Sequence, residues 1–300
     1  MSILISKISF SIGPPNERND NMSDEKSSGN TFNLNAVPSC IDEPVKAVLS
    51  PGANQIGMLF GDLLAMATSK IHFSAEKMRL QQAHDLEAFK KSLSDKLNAK
   101  PAECLVEPRM QVVGPALENA KFCLEEPQIS KMFQNLLANA ADSRYQKQIH
   151  PSFSSMIAQL SPLDAENLVL ISKKSSIPVV NYDCIYTNGG HQPIFENCFI
   201  ENSAMTTPDE LERQAESLSA LQRQGLIEIS YIQWRKDERV YSAFRETSIY
   251  KEAEESIAQA KKSVNLNDPK LNIADKVDFQ KGLVELTPLG RAFTAVCFKS

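Results

Sequence analysis

A chain of 300 residues, 42% hydrophobic and 23% charged, has material for one large or two modest cores. Its formal net charge of −5 excludes a globally basic nucleic-acid binder and leaves only a local basic face open. It has no run of roughly 18 apolar residues that would span a bilayer, and its six scattered cysteines, with no convincing secretory signal, read as reduced thiols in a cytoplasmic protein.

Residues 13–35 are rich in Pro, Asn, Ser, Asp and Glu. Too few large apolar groups are present to offset the entropy of ordering, so a disordered tail is predicted over residues 1–36. Met22-Ser23-Asp24-Glu25-Lys26 would serve as a natural start, leaving Met1 and Met22 both open. Pro44 opens a short helix that Pro51-Gly52 ends. A long helical tract is predicted over residues 54–98. Residues 56–66 are its most apolar window, interrupted by Asp62, and read as a buried or partner-facing segment. A membrane-surface role, and with it a membrane-acting toxin, is the weaker reading. Further on, Met78, Leu86, Phe89, Leu93 and Leu97 form one apolar stripe among charged neighbours. Such a helix packs on its own domain or pairs with another copy in a homo-oligomeric coiled coil.

Pro101 ends this tract and Pro108 starts the next helix. Val113, Ala116, Leu117, Ala120 and Leu124 face inward, and Gly114-Pro115 predicts a kink or a late start. Pro127 opens the best amphipathic pattern in the chain, with Ile129, Met132, Phe133, Leu136, Leu137 and Ala140 at helical spacing. A polar break spans residues 142–150. Pro151 opens a short helix carrying Phe153, Met156, Ile157 and Leu160. Ser161-Pro162-Leu163-Asp164 then places a hydroxyl at the N-cap, Pro at N1 and a carboxylate at N3.

The marks of this stretch are Leu-Val-Glu-Pro at residue 105, Gly-Pro-Ala-Leu at 114, Met-Phe-Gln-Asn-Leu-Leu-Ala-Asn-Ala at 132, His-Pro-Ser-Phe at 150 and Leu-Ser-Pro-Leu-Asp-Ala at 160. Over about 60 residues they closely resemble the core of the bacterial abortive-infection alpha family, a far more specific signal than any lone short motif. The resemblance implies a role in abortive infection, in which an infected cell stops supporting phage growth.

From residue 177 the pattern changes. Residues 177–182 are apolar and β-branched, as in a strand, and Asn188-Gly189-Gly190 is a turn signal. Thr207-Pro208-Asp209-Glu210 is a capping box, and Gly225 stands where a left-handed residue closes the helix. Residues 226–232 alternate as a strand and residues 240–244 pair with it in this reading. Residues 247–262 form an inserted helix, residues 283–286 a short strand after a polar link, and Thr287-Pro288 caps the last helix. This order is similar to winged-helix proteins. The expected fold is therefore mainly α, with a helical bundle at 37–174 followed by an α+β winged-helix-like domain at 175–300. The candidate recognition helix carries Asp209, Glu210, Glu212 and Glu216 against Arg213 and Arg223, which opposes phosphate binding and favours a protein-interaction module.

Chemistry has few footholds. Asp142, Arg144 and His150 lie in a loop between two strong helices, where catalytic groups often sit, and His150 before Pro151 also fixes a helix entry. Cys184, His191 and Cys198 surround a turn, yet metal sites usually supply four ligands with a close Cys pair. Asn139 and Asp164 read as capping and turn residues, and Lys173-Lys174 as a helix end complementing the dipole. Phosphate-loop, dinucleotide, zinc-protease and nucleophile-elbow motifs are absent, so no enzyme, cofactor or metal is proposed. The expected function is anti-phage defence by contact with a host or phage protein, as sensor or relay. The rivals are a DNA-binding regulator and an effector with a cryptic hydrolase or nuclease site at His150.

Overall fold

The computed structural model of the chain describes residues 76–199, 207–263 and 272–299. The expected tail, the short helix after Pro44, the apolar window at 56–66 and the first part of the long tract lie outside the described residues.

Among the described residues five helices and a short 3-10 turn come first: α1 (Glu76–Asn98), the turn (Ala102–Cys104), α2 (Met110–Ala120), α3 (Pro127–Ala140), α4 (Phe153–Ala158) and α5 (Pro162–Ser172). α1 lays Phe89, Leu93 and Leu97 against α3, so that part of its apolar stripe is buried within the chain. α2 starts at Met110 and runs through Pro115, burying Val113, Ala116, Leu117 and Ala120. α3 is the central helix. Its predicted stripe is buried, and so are Ser130, Gln134, Asn135 and Asn139, because α1, α2, α4, α5 and the last helix surround it. The Ser161–Asp164 box forms as read: Asp164 N–H donates to Ser161 Oγ at 3.1 Å, and Ser161 N–H to Asp164 Oδ2 at 2.8 Å.

The rest is built on one sheet of four strands, β1 (Ile177–Tyr186), β2 (His191–Cys198), β3 (Ile227–Ser230) and β4 (Ala274–Leu286), in the order β2-β1-β4-β3. Every neighbouring pair is antiparallel. Helices α6 (Pro208–Arg223), α7 (Arg239–Arg245), α8 (Ser248–Ser263) and α9 (Pro288–Cys297) complete the described chain.

This architecture overturns the winged-helix expectation. The sheet curls into a half-barrel, and its longest seam joins β1 to β4, from Ile177 opposite Val284 to Tyr186 opposite Ala274. Two segments account for the difference. Residues 240–244 are helical: Tyr241 and Phe244, three apart, both turn inward, and Asp237 accepts from the Arg239 N–H at the start of the turn. The polar run before residue 283 is strand, with Ala274, Val277 and Phe279 buried among exposed charges. Its charges occupy the solvent face of a half-buried strand.

Two cores result. One joins α1–α5 and α9 to Ile177 and Val179 of β1, Leu218 and Leu221 of α6, and Ile227 and Val284 of the sheet. The other packs the far end of β1 and β2 on α7, α8 and Leu211. α9 closes on the first core with Phe293 edge-on to Phe153, ring centres 5.2 Å apart. Gly290 allows this approach, because a Cβ there would lie 1.9 Å from the Leu226 carbonyl oxygen.

Candidate functional site

The segment after α3 is fastened to the chain that follows α1. Val106 N–H donates to the Ala141 carbonyl at 3.0 Å and Ser143 N–H to the Cys104 carbonyl at 2.9 Å. This bridge carries Asp142 inward until its side chain is 0% exposed. Its charge is met at once. Arg144 donates Nε to Oδ1 at 2.9 Å and Nη2 to Oδ2 at 2.7 Å, and its backbone N–H reaches Oδ1 at 3.0 Å. On the other side the Lys100 ammonium, 7% exposed, lies 3.1 Å from Oδ2. Burial pushes the Asp142 pKa up, but the hydrogen bonds from Arg144 and Lys100 outweigh it and hold the group at about 2. A carboxylate has about four lone-pair sites, and here four donors occupy them. Such a group is a fixed anion at neutral pH and a poor proton acceptor.

Lys100 also donates to Asn139 Oδ1, and it lies over the Tyr145 ring, 5.0 Å from the centre. Asn139 Nδ2 donates to the carbonyls of Val296 at 2.7 Å and Lys299 at 3.0 Å, and Asn135 Nδ2 to Cys297 at 2.8 Å. Asn139 therefore caps α9 rather than its own helix. Arg109 holds the rest of the loop, donating to the carbonyls of Gln146 and Ile149 at 2.9 Å each. The sequence missed Lys100 altogether, since nothing local sets it apart. Asn135 and Asn139 left a usable signal: two amides, four residues apart, within the apolar run at residues 132–140.

The candidates do not all converge. Asp142 and Arg144 meet, whereas His150 makes its hydrogen bonds locally. Its Nδ1 lies 2.6 Å from Ser152 Oγ and accepts from the Ser152 N–H at 3.2 Å, at the entry to α4. Cys184 and Cys198 are buried. Cys184 is opposite Gln192, and Cys198 is opposite Val180. The two are thus four strand positions apart, about 13 Å along the strand. His191 is opposite Ile185 and on the other face from Cys184, with its Nδ1 3.8 Å from Asp183 Oδ2. Burial raises the Asp183 pKa against the pull of His191. Among the described residues no group of three His, Cys, Asp or Glu side chains comes together to hold a metal, and no helix is long and apolar enough to cross a membrane.

The family model for abortive infection alpha matches residues 81–297. The chain belongs to the abortive infection alpha family. The match takes in the helical bundle, the curled sheet and α9 together, well beyond the stretch whose motifs resemble the family in sequence. The curated proteins contain no match to the chain. Among solved structures, the chain is similar to an uncharacterized protein from the hydrocarbon-degrading marine bacterium Alcanivorax borkumensis SK2. That similarity has 17% identity over 52% of this chain and 96% of the other, with a TM-score of 0.30, too low to show a shared fold.

Proposed function

We propose that this member of the abortive infection alpha family acts in phage defence through protein contacts in the cytoplasm, sensing or relaying an infection signal. The observation that carries the reading is the family match over residues 81–297. The chemistry of the loop supports a contact role over catalysis. Asp142 is saturated by donors, and the His150 nitrogen seen in hydrogen bonds is occupied by Ser152. The exposed face of α6 presents Asp209, Glu210, Glu212 and Glu216, which suits a basic protein partner better than a phosphate backbone.

The test is to express the chain in a susceptible host and measure plaquing across a diverse phage panel, beside a deletion in the native host. Restriction of at least one phage is expected. If no phage is restricted and the deletion changes nothing, the defence reading fails. A His150→Ala variant is expected to restrict as wild type does. Loss of restriction by a stably folded His150→Ala protein would instead favour a catalytic loop.

A further inference from the structure

Between α3, α5 and the end of α9 lies a cavity of about 460 Å³, of a size that takes a small organic molecule. Its wall is apolar, made by Met132, Ala165, Val169, Leu170, Cys297 and Phe298. Two features of its polar lining stand out.

Asn135 lines the cavity from α3 and is 1% exposed. Its Nδ2 is committed to the Cys297 carbonyl at 2.8 Å. That bond sets the orientation of the amide, because a flipped amide would point its oxygen at another oxygen. Oδ1 is consequently left buried with no donor. Buried amide oxygens are nearly always satisfied, and an orphan calls for an explanation.

The rim is charged. Lys131 is exposed on the same face of α3, and no ion pair or hydrogen bond to its ammonium is found among the described residues. It lies near enough to Lys96 for the two to repel, since the Lys96 pKa is lowered first by burial, then by repulsion from Lys131 and Lys100. Across the mouth on α5, Glu166 accepts a hydrogen bond from Gln128 at 3.1 Å.

We propose that this cavity binds a small apolar acid that carries one N–H or O–H donor. The anionic head pairs with Lys131 at the mouth, and the apolar body lies along Met132, Val169 and Phe298. The donor meets Asn135 Oδ1. That oxygen has no exposed surface of its own, so the donor reaches it only as the cavity wall shifts, a movement we assign to Met132, which is unbranched and adaptable.

The test uses the full chain and 8-anilinonaphthalene-1-sulfonate, which has an aromatic body, one N–H and one sulfonate. Fluorescence titration is expected to saturate at one dye per chain. Lys131→Glu, on the exposed rim, is expected to weaken binding about ten-fold, and Glu166→Gln to tighten it. Val169→Trp fills the space and is expected to abolish the signal. Binding that does not saturate at one site, or that is unchanged in both Lys131→Glu and Val169→Trp, overturns the proposal and places the dye on exposed groups such as Ile232 and Trp234. Absence of any saturable signal overturns it equally. Should Val169→Trp fail to fold, Lys131→Glu decides alone, since its side chain takes no part in the core.

Discussion

Asp142 and Lys100 form a buried pair in which each charge needs the other. Removing one partner of such a pair typically costs about 3–5 kcal/mol, because the other remains out of water and unpaired. Asp142→Ala is therefore expected to lower the denaturant midpoint sharply with little change in slope, as measured by urea unfolding. The pair also has a pH signature. Burial raises the Asp142 pKa, but the bonds from Arg144 and Lys100 prevail and bring it to about 2, below the ordinary 3.8. The unfolded chain then takes up the proton more readily than the folded one. The stability from Asp142 is present above about pH 4 and is lost as pH falls toward about 2. Thermal melts of wild type and Asp142→Asn are expected to differ at neutral pH and to converge in acid. Parallel curves down to the acid end would show that Asp142 is not the linked group. The loop itself was legible as a polar break between two apolar helices. Its ammonium partner was not, because Lys100 lies 42 positions before Asp142 in the chain.

Helix ends were the most legible elements. Thr207 and Glu210 exchange the two bonds of a capping box at 3.3 and 3.1 Å, and Gly225 takes φ 72° where α6 stops. Thr287 Oγ1 accepts from the Gly290 N–H at 2.9 Å to start α9. Each of these groups sits within a few residues of its partner, so local order in the sequence was enough. The second demand on Gly290 was hidden, since it comes from Leu226, the residue before β3, 64 positions earlier in the chain. A methyl group there would press on the Leu226 carbonyl, which is backbone and cannot swing aside. Overpacking of this kind costs about 1–3 kcal/mol, and Gly290→Ala is expected at the upper end, read as a lowered melting temperature with faster amide exchange in α9. Gly225→Ala is expected to cost about 1–2 kcal/mol through its left-handed backbone alone. The failure at residues 240–244 has a tertiary cause. Five residues spaced Val-Tyr-Ser-Ala-Phe fit either period, and packing of Tyr241 and Phe244 on the sheet chose the helix.

At the scale of the molecule, α9 is packed into the helical bundle formed by α1–α5. Phe293, Val296 and Cys297 are fully buried, and two asparagines of α3 hold the last carbonyls of α9. Deleting residues 288–300 is therefore expected to unfold the helical bundle itself, read as loss of a cooperative melt followed by helical circular dichroism. A truncated chain that melts as wild type does would show α9 to be an appendage. The acidic exposed face of α6 carries the matching expectation for nucleic acid: no gel shift of duplex DNA even at low salt.

The sequence by itself determined the caps, the breaks, the helical stripes and the family, because each is written in residues close together or in a run of motifs. Only the tertiary structure decided that β1 pairs with β4 rather than a wing forming, and that Lys100 neutralises Asp142. It also decided that Asn135 and Asn139 serve a helix more than 150 positions away. These outcomes depend on which distant segments meet. A polar residue carries no local mark of the partner that will satisfy it, and a short apolar run takes whichever period its neighbours reward.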